Sequence, residues 1–447
     1  MQRSFWVETL GCPKNQVDSD KLTYTMLADG LLAADSPEEA DLVVVNTCAF
    51  IEEAREESVA TILALDETRL TDSQLVVTGC MAERYGEELA LALPEVDAVS
   101  GFGVPIHLGV KPGGDALSAT SESVPLLDLL NLPRPKSESP WAYVKVAEGC
   151  DKACGFCAIP SFRGPQRSRS INSIVDEVQQ LDVREIVLIA QDLAAYGRDQ
   201  GVGEKRILNL LEAVSEQVEW VRLLYLYPSE LTDPLIEFMA ASPVPYFDLS
   251  LQHVSAPLVR RMRRWGSGEK YLKRIEQIRT LQPKATFRSN FIVGYPGETE
   301  ADHDQLLEFV QAAQLHWCGF FAYSPEDGTY AADLEERVPV QLMNDRLAEL
   351  RELQDDISAA LRDACIGEVL TVLVDEPGVA RSSAEAPEID GIIFVDESLA
   401  IGEFHNVLVT DAQGPDLFAE LLTHQADQAN QPDQGSLQAQ LPDRTRE

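Results

Sequence analysis

The stretch EGCDKACGFCAIP, residues 148–160, sets Cys150, Cys154 and Cys157 within eight residues, and no cysteine follows until Cys318. Soft-metal sites usually take four thiolates, because structural zinc is closed tetrahedrally and an iron–sulfur cube has about one cysteine per iron. A CxxxCxxC trio is therefore one ligand short, and the missing ligand is either an accident or the working part. The run AYVKVAEG (142–149) leads straight into the trio. Its alternation reads as a strand, which puts the three thiols in a loop at the carboxyl end of that strand, where α/β sheets bind ligands.

Outward from this point the strand pattern recurs. EIVLIAQD, WVRLLYLYP, YFDLSLQH, TFRSNFIVG and WCGFFAYS alternate with the helical stretches SINSIVDEVQQLD, LNLLEAVSEQ, SELTDPLIEFMAA, SGEKYLKRIEQIRTL and ETEADHDQLLEFVQAA. Six βα units close only part of an eight-unit barrel, so residues 140–358 read as a partial (βα)6 barrel with its ligand edge at the polar strand ends. Upstream, residues 1–110 alternate in the same way: FWVETL, DLVVVN and LVVTG are each followed by a helical pattern, which predicts a parallel sheet covered by helices. Cys12, Cys48 and Cys80 each fall just after one of those strands. Any one of them alone reads as a small buried apolar residue. Three at the same topological position read as a second three-thiolate site.

The segment 111–139, rich in Pro, Gly and Ser, reads as a linker with one packed turn around Leu126–Leu130. After the barrel, VQLMNDRLAELRELQDDISAALRDAC predicts a long helix. Short strand patterns with Gly-rich turns then predict a small five-stranded β-barrel over 359–424. The Gln-rich residues 425–447 lack periodicity and read as disordered. Cys318, among Trp317, Phe320 and Phe321, reads as core, and neither it nor Cys365 matches a trio.

A chain of 447 residues exceeds what one core supports, roughly 250–300 residues, in keeping with several domains. MQRSFWVETLGC lacks the apolar run of a secretory signal, and no segment reaches the roughly 18 apolar residues of a membrane span, so a cytoplasmic protein without membrane association is expected. In a reducing compartment, clustered cysteines point to metal or catalysis rather than disulfides. The 36 Lys and Arg against 74 Asp and Glu give a formal charge of −38, which disfavours nucleic acid and favours a basic protein partner. Two basic stretches, RGPQRSR (163–169) and VRRMRRW (259–265), read as solvated helix faces or loops.

The CxxxCxxC loop after the first strand of a partial barrel resembles the radical S-adenosylmethionine (SAM) superfamily. GCPKNQVDSD, NTCAFI, VTGC, EGCDKACGFCAIPSFRG, SLQH, NFIVGYPGET and AYSPEDGT, in that order, are similar to the methylthiotransferase family as far as about residue 424. The resemblance implies a [4Fe–4S] cluster on Cys150, Cys154 and Cys157, with its fourth iron chelated by the amino and carboxylate groups of SAM. Reductive cleavage of SAM then yields a 5′-deoxyadenosyl radical able to take hydrogen from an unactivated carbon. On this reading the missing ligand is the substrate. The resemblance also implies a second [4Fe–4S] cluster on Cys12, Cys48 and Cys80 for sulfur delivery, a second SAM as methyl donor, an aromatic contact to adenine from Phe156, and a TRAM-like C-terminal barrel. Gly294 and Gly297 allow close backbone approach to the cofactor, while Glu298, Gln191 and Asp192 are candidate ribose or methionine contacts.

Within the family, YFDLSLQHVSAPLVRRM, VDSD and RSSAEAPEIDG resemble the branch that modifies the β-carbon of an aspartate in protein twelve of the small ribosomal subunit. The alternative branch modifies adenosine in transfer RNA. The segment 367–424 has one arginine, Arg381, and no lysine against a dozen acids, which suits a basic protein better than RNA. An electron donor such as flavodoxin or ferredoxin is implied. A reading from another class, a zinc-binding adaptor, fits poorly: zinc wants a fourth ligand, His107 is the closest in sequence to Cys12, Cys48 and Cys80, and His253 lies on another strand.

Overall fold

The computed structural model describes residues 3–106, 127–201 and 205–422. His107, part of the linker expected at 111–139 and the tail expected at 425–447 lie outside them. The chain begins with β1 (Ser4–Thr9), α1 (Pro13–Ala28), β2 (Leu32–Ala33), β3 (Leu42–Thr47), α2 (Glu52–Thr68), β4 (Gln74–Gly79), α3 (Cys80–Ala92) and β5 (Ala98–Val99). These strands form one parallel sheet in the order β2-β1-β3-β4-β5. Strands β3 and β4 are Val-rich and buried because helices cover both faces. The strand order reverses between β1 and β3, the switch point at which such sheets leave a crevice. The linker's expected turn is a 3-10 turn at Leu129–Asn131, with Leu129 and Leu130 buried and the Leu130 carbonyl accepting from Lys21 Nζ at 2.7 Å.

Next come β6 (Trp141–Lys145), β7 (Ala147–Glu148), α4 (Ile159–Arg163), β8 (Arg167–Ser168), α5 (Ile171–Leu181), β9 (Glu185–Ile189), α6 (Lys205–Ser215), β10 (Trp220–Leu223), α7 (Asp233–Ala241), β11 (Tyr246–Gln252), α8 (Ala256–Arg261), α9 (Gly268–Leu281), β12 (Thr286–Val293), α10 (Glu300–Ala313) and β13 (Trp317–Ala322). Two parallel sheets, β10-β9-β6 and β11-β12-β13, are joined by a bridge from Leu226 to Leu249. Six strands in chain order thus make the partial barrel. On β9, Ile186 and Leu188 pack with the surrounding helices, while Val187 and Ile189 face a second cluster that includes Tyr143, Trp220, Tyr246 and Trp317. That cluster lies inside the barrel.

Helix α11 (Val340–Asp363) leads to β14 (Val369–Glu376), β15 (Val379–Arg381), β16 (Ile393–Phe394), β17 (Phe404–Gln413) and β18 (Asp416–Leu421), a closed barrel in the order β14-β15-β16-β18-β17. α11 is continuous through residues 358 and 359, so a division there cuts a helix.

The loop after β15 enters the large barrel from the amino ends of its strands. The Ala384 carbonyl accepts from Trp317 Nε1 at 2.7 Å, the Pro387 carbonyl from the Tyr143 hydroxyl at 3.1 Å, and Asp390 from the Tyr246 hydroxyl at 2.5 Å. Beneath them Glu185 accepts from Arg222 at 2.7 Å and from Arg381 at 2.8 Å, and all three side chains are buried. RSSAEAPEID is therefore a plug. It closes the end of the barrel opposite the cysteines and leaves the cysteine end as the mouth.

Candidate active site

Both cysteine trios lie at that mouth. Hairpin pairing of Ala147 with Ser168 and Glu148 with Arg167 staples the two ends of the loop that carries Cys150, Cys154 and Cys157. Gly149 makes the staple possible. Its φ is +81°, and a Cβ there would stand 2.2 Å from the Pro165 carbonyl oxygen. Within the loop, Cys154 Sγ accepts from Arg264 Nη1 at 3.2 Å, and that guanidinium rests 4.1 Å from the Tyr227 ring centroid. Burial pushes the Cys150 thiol up to about 11 and the Cys157 thiol up to about 12, with Cys154 adding to both.

Cys12 caps the amino end of α1, Cys48 follows β3 and Cys80 opens α3, so all three stand at the carboxyl ends of adjacent parallel strands. Gly11, with φ +92°, lets Cys48 approach, since a Cβ there would lie 2.9 Å from its sulfur. The thiols sense one another: burial raises Cys48 to about 12, and Cys80 and Cys12 both contribute. Burial also raises Cys12, but Lys14 and Arg163 more than reverse it, leaving that thiol below its ordinary value. Raised thiols must lose protons when they bind metal, so loading of either site releases protons.

One residue joins the two sites. Arg163 ends α4, six positions after Cys157, and is buried. Its guanidinium donates to Cys80 Sγ at 3.0 Å, to Asn15 Oδ1 at 2.8 Å, to Asp18 at 2.9 Å and to Glu148 at 3.0 Å, with the Phe102 ring centroid 4.0 Å away. Phe162 beside it packs into the core of the first domain with Cys80, Met81 and Ala82. Lys145 completes the network by pairing with Asp18 and with Glu148. Burial favours protonation of Glu148, yet Arg163 and Lys145 hold its carboxyl far below the usual range. A second tie runs from Arg55 and Arg84 to Glu326, at 2.6 and 2.5 Å.

The expectation of solvated faces holds for Arg167, Arg260 and Arg263, which are exposed, and fails for the others. Arg163, Arg169 and Arg264 turn inward to thiols, carboxylates and carbonyls, and Arg261 and Arg263 pair with Glu336 and the Tyr330 ring. Sequence reasoning also missed Asn15, Lys14 and Asp18. The only signal for them was their place in the loop and helix that follow Cys12.

Of the candidate SAM contacts, Gln191 and Asp192 follow β9 on the side of the central trio. Asp192 is 2% exposed, its two oxygens have no hydrogen-bond donor, and Lys152 Nζ is 3.7 Å away; Gln191 Oε1 is likewise unsatisfied and buried. These orphaned atoms fit a cationic, hydrogen-bonding ligand. Phe156 packs on a small apolar cluster with Leu258, Met262, Tyr295 and Ala331. Glu298 points elsewhere: one oxygen accepts from the Gly294 N–H at 2.6 Å and the other from Arg346 at 2.8 Å, so this carboxylate holds its own loop rather than facing a ligand. Met343 and Arg261 occupy the spaces beside Gly294 and Gly297. His253 is buried just after β11, and Cys318 packs against the main core. Among the described residues, no three His, Cys, Asp or Glu side chains close on one point as around a single bare ion. The cysteine trios would offer three sulfurs each, one short of closed zinc, a donor set that fits a cluster keeping one iron open.

Residues 4–101 match the model of Uncharacterized protein family UPF0004, residues 144–310 the Radical SAM superfamily, and residues 366–422 the TRAM domain. Among curated relatives, the ribosomal protein uS12 methylthiotransferase RimO of Moorella thermoacetica is 42% identical over 87% of this chain and 92% of its own length. Those of Myxococcus xanthus and Aquifex aeolicus are 40% and 39% identical, over 94% and 92% of this chain and 92% and 95% of theirs. Similar solved structures include the cobalamin-dependent SAM radical enzyme OxsB (TM-score 0.47, 12% identity, 79% of this chain and 56% of that one) and the radical SAM methyltransferase TsrM from Kitasatospora setae (TM-score 0.46, 13% identity, 87% and 82%). Three domain matches in order and about 40% identity along nearly the whole chain leave one assignment: this chain belongs to the ribosomal protein uS12 methylthiotransferase family of radical SAM enzymes.

Proposed function

We propose that the protein replaces a hydrogen on the β-carbon of an aspartate in small-subunit ribosomal protein uS12 with a methylthio group. What supports this reading is that both cysteine trios stand at strand ends of one barrel mouth, where Arg163 donates to Cys80 and pairs with Glu148, two positions before Cys150. Bound at these sets, two [4Fe–4S] clusters and SAM supply an electron, a carbon-centred radical, sulfur and a methyl group.

The chain's own residues do the rest. Cys150, Cys154 and Cys157 hold the SAM-side cluster and leave one position open for the cofactor. Asp192 and Gln191 meet the polar part of SAM, and Phe156 lines the side toward adenine. Cys12, Cys48 and Cys80 hold the second cluster across the switch point. The plug at the opposite end keeps water from entering behind the reacting groups. Flavodoxin or ferredoxin is the class of electron donor, and the cytoplasm is the place of action. Among the described residues, no helix is long and apolar enough to cross a membrane.

Charge supports the protein substrate over RNA. The small barrel's single arginine, Arg381, is buried against Glu185 and Asp375, so no barrel cation is left to face a phosphate backbone. Anaerobic turnover of reconstituted enzyme with SAM and reductant, offered uS12 and unmodified transfer RNA side by side, tests this by mass spectrometry. A gain of about 46 daltons on an aspartate of uS12 is expected. The same gain on transfer RNA alone would defeat the substrate assignment.

A further inference from the structure

Lys14 stands two positions after Cys12 and is 8% exposed. Its ammonium lies 3.4 Å from the ring centroid of Tyr225, two residues beyond β10 at the barrel mouth. Several other cations around the two trios have carboxylate partners: Lys145 and Arg163 share Asp18 and Glu148, Arg288 meets Asp248 and Asp390, and Lys152 meets Glu230. Lys14 pairs with no carboxylate among the described residues. Its acidic neighbours are the Cys12 thiol, whose ionisation it favours, and the Tyr225 side chain; no carboxylate among the described residues offsets the burial of this ammonium, so it can take one from a ligand.

The direction of the side chain says which anion. Lys14 leaves the first domain and rests on a barrel residue, Tyr225, whose backbone N–H donates to Asp248 at 2.8 Å. The head group therefore sits between the second trio and the barrel interior, where a substrate carbon must lie to meet both a radical and a sulfur donor.

We infer that Lys14, backed by Tyr225, binds the side-chain carboxylate of the target aspartate. The inference rests on the function proposed above and adds the residue that selects aspartate. The carboxylate is one bond from the reacting β-carbon, so anchoring it fixes that carbon in place. Asparagine has the same shape but no charge, and loses the ion pair.

The test measures binding by fluorescence anisotropy to the reconstituted holoenzyme without reductant. The probes are a uS12 peptide carrying the target aspartate and its Asp→Asn twin. Wild type should bind the aspartate peptide roughly tenfold to hundredfold more tightly than the twin. Lys14→Met should bind the two equally, and Lys14→Arg should keep the preference. Retention of the full preference in Lys14→Met, or its absence in wild type, overturns the inference. Turnover by wild type, measured separately, tells the failures apart: no methylthio product from wild type defeats the function, whereas normal turnover with an unchanged preference in Lys14→Met defeats only the role of Lys14.

Discussion

Arg163→Met is expected to destabilise the fold by about 3–5 kcal/mol and to uncouple the two halves of the reaction. Removing this guanidinium leaves Asp18 and Glu148 with Lys145 as their shared cation, and withdraws the donor to Cys80 Sγ and to Asn15 Oδ1. The central trio is untouched, because its own donor is Arg264. SAM cleavage should therefore survive in the folded fraction while methylthio transfer falls by more than an order of magnitude. Denaturant midpoints and the ratio of SAM consumed to methylthio product read the two effects separately. Arg163→Lys keeps the charge but loses the planar fork that reaches four partners, and should fall between wild type and the methionine variant. A wild-type ratio in Arg163→Met would mean that the residue only holds the domains together.

The second large effect lies at the other end of the barrel. Glu185→Ala leaves Arg222 and Arg381 facing each other in the interior, and a loss of about 3–5 kcal/mol is expected. Burial opposes ionisation of Glu185, but Arg381 and Arg222 outweigh it, so its carboxyl titrates below its ordinary 4.5. A depressed carboxylate adds stability that is fully present above the unfolded value and is lost as pH falls through the folded one. Wild-type stability should therefore drop as pH falls below about 4.5, and Glu185→Gln should flatten that slope. Urea midpoints measured between pH 7 and pH 3 check both claims. An equal slope in the variant would place the acid sensitivity elsewhere, for instance at Glu385, which Arg362 holds down in the same way.

Both effects arise from contacts that have no local trace in the chain. The placement of the six cysteines at strand ends was legible because each follows a β-branched run, and the six barrel strands because Val- and Ile-rich runs alternate with helical patterns. Arg163 was read as solvated because its partners Cys80, Asn15 and Glu148 are 83, 148 and 15 positions away. Glu298 was assigned to the cofactor on its place after Gly297, and Arg346 from the distant α11 claims it instead. Strands β2 and β5, two residues each, are too short for any alternation to show. The plug loop carries no periodic signal at all, since its burial depends on carbonyls offered to Trp317, Tyr143 and Arg222.

The proposed function requires two separate clusters, each held by one cysteine trio, and iron counting after anaerobic reconstitution tests that directly. Wild type should bind about eight irons and eight sulfides per chain. Replacing Cys12, Cys48 and Cys80 by alanine should leave about four, and so should replacing Cys150, Cys154 and Cys157. Stoichiometric zinc with no iron or sulfide, or loss of all iron on removing either trio alone, would contradict it.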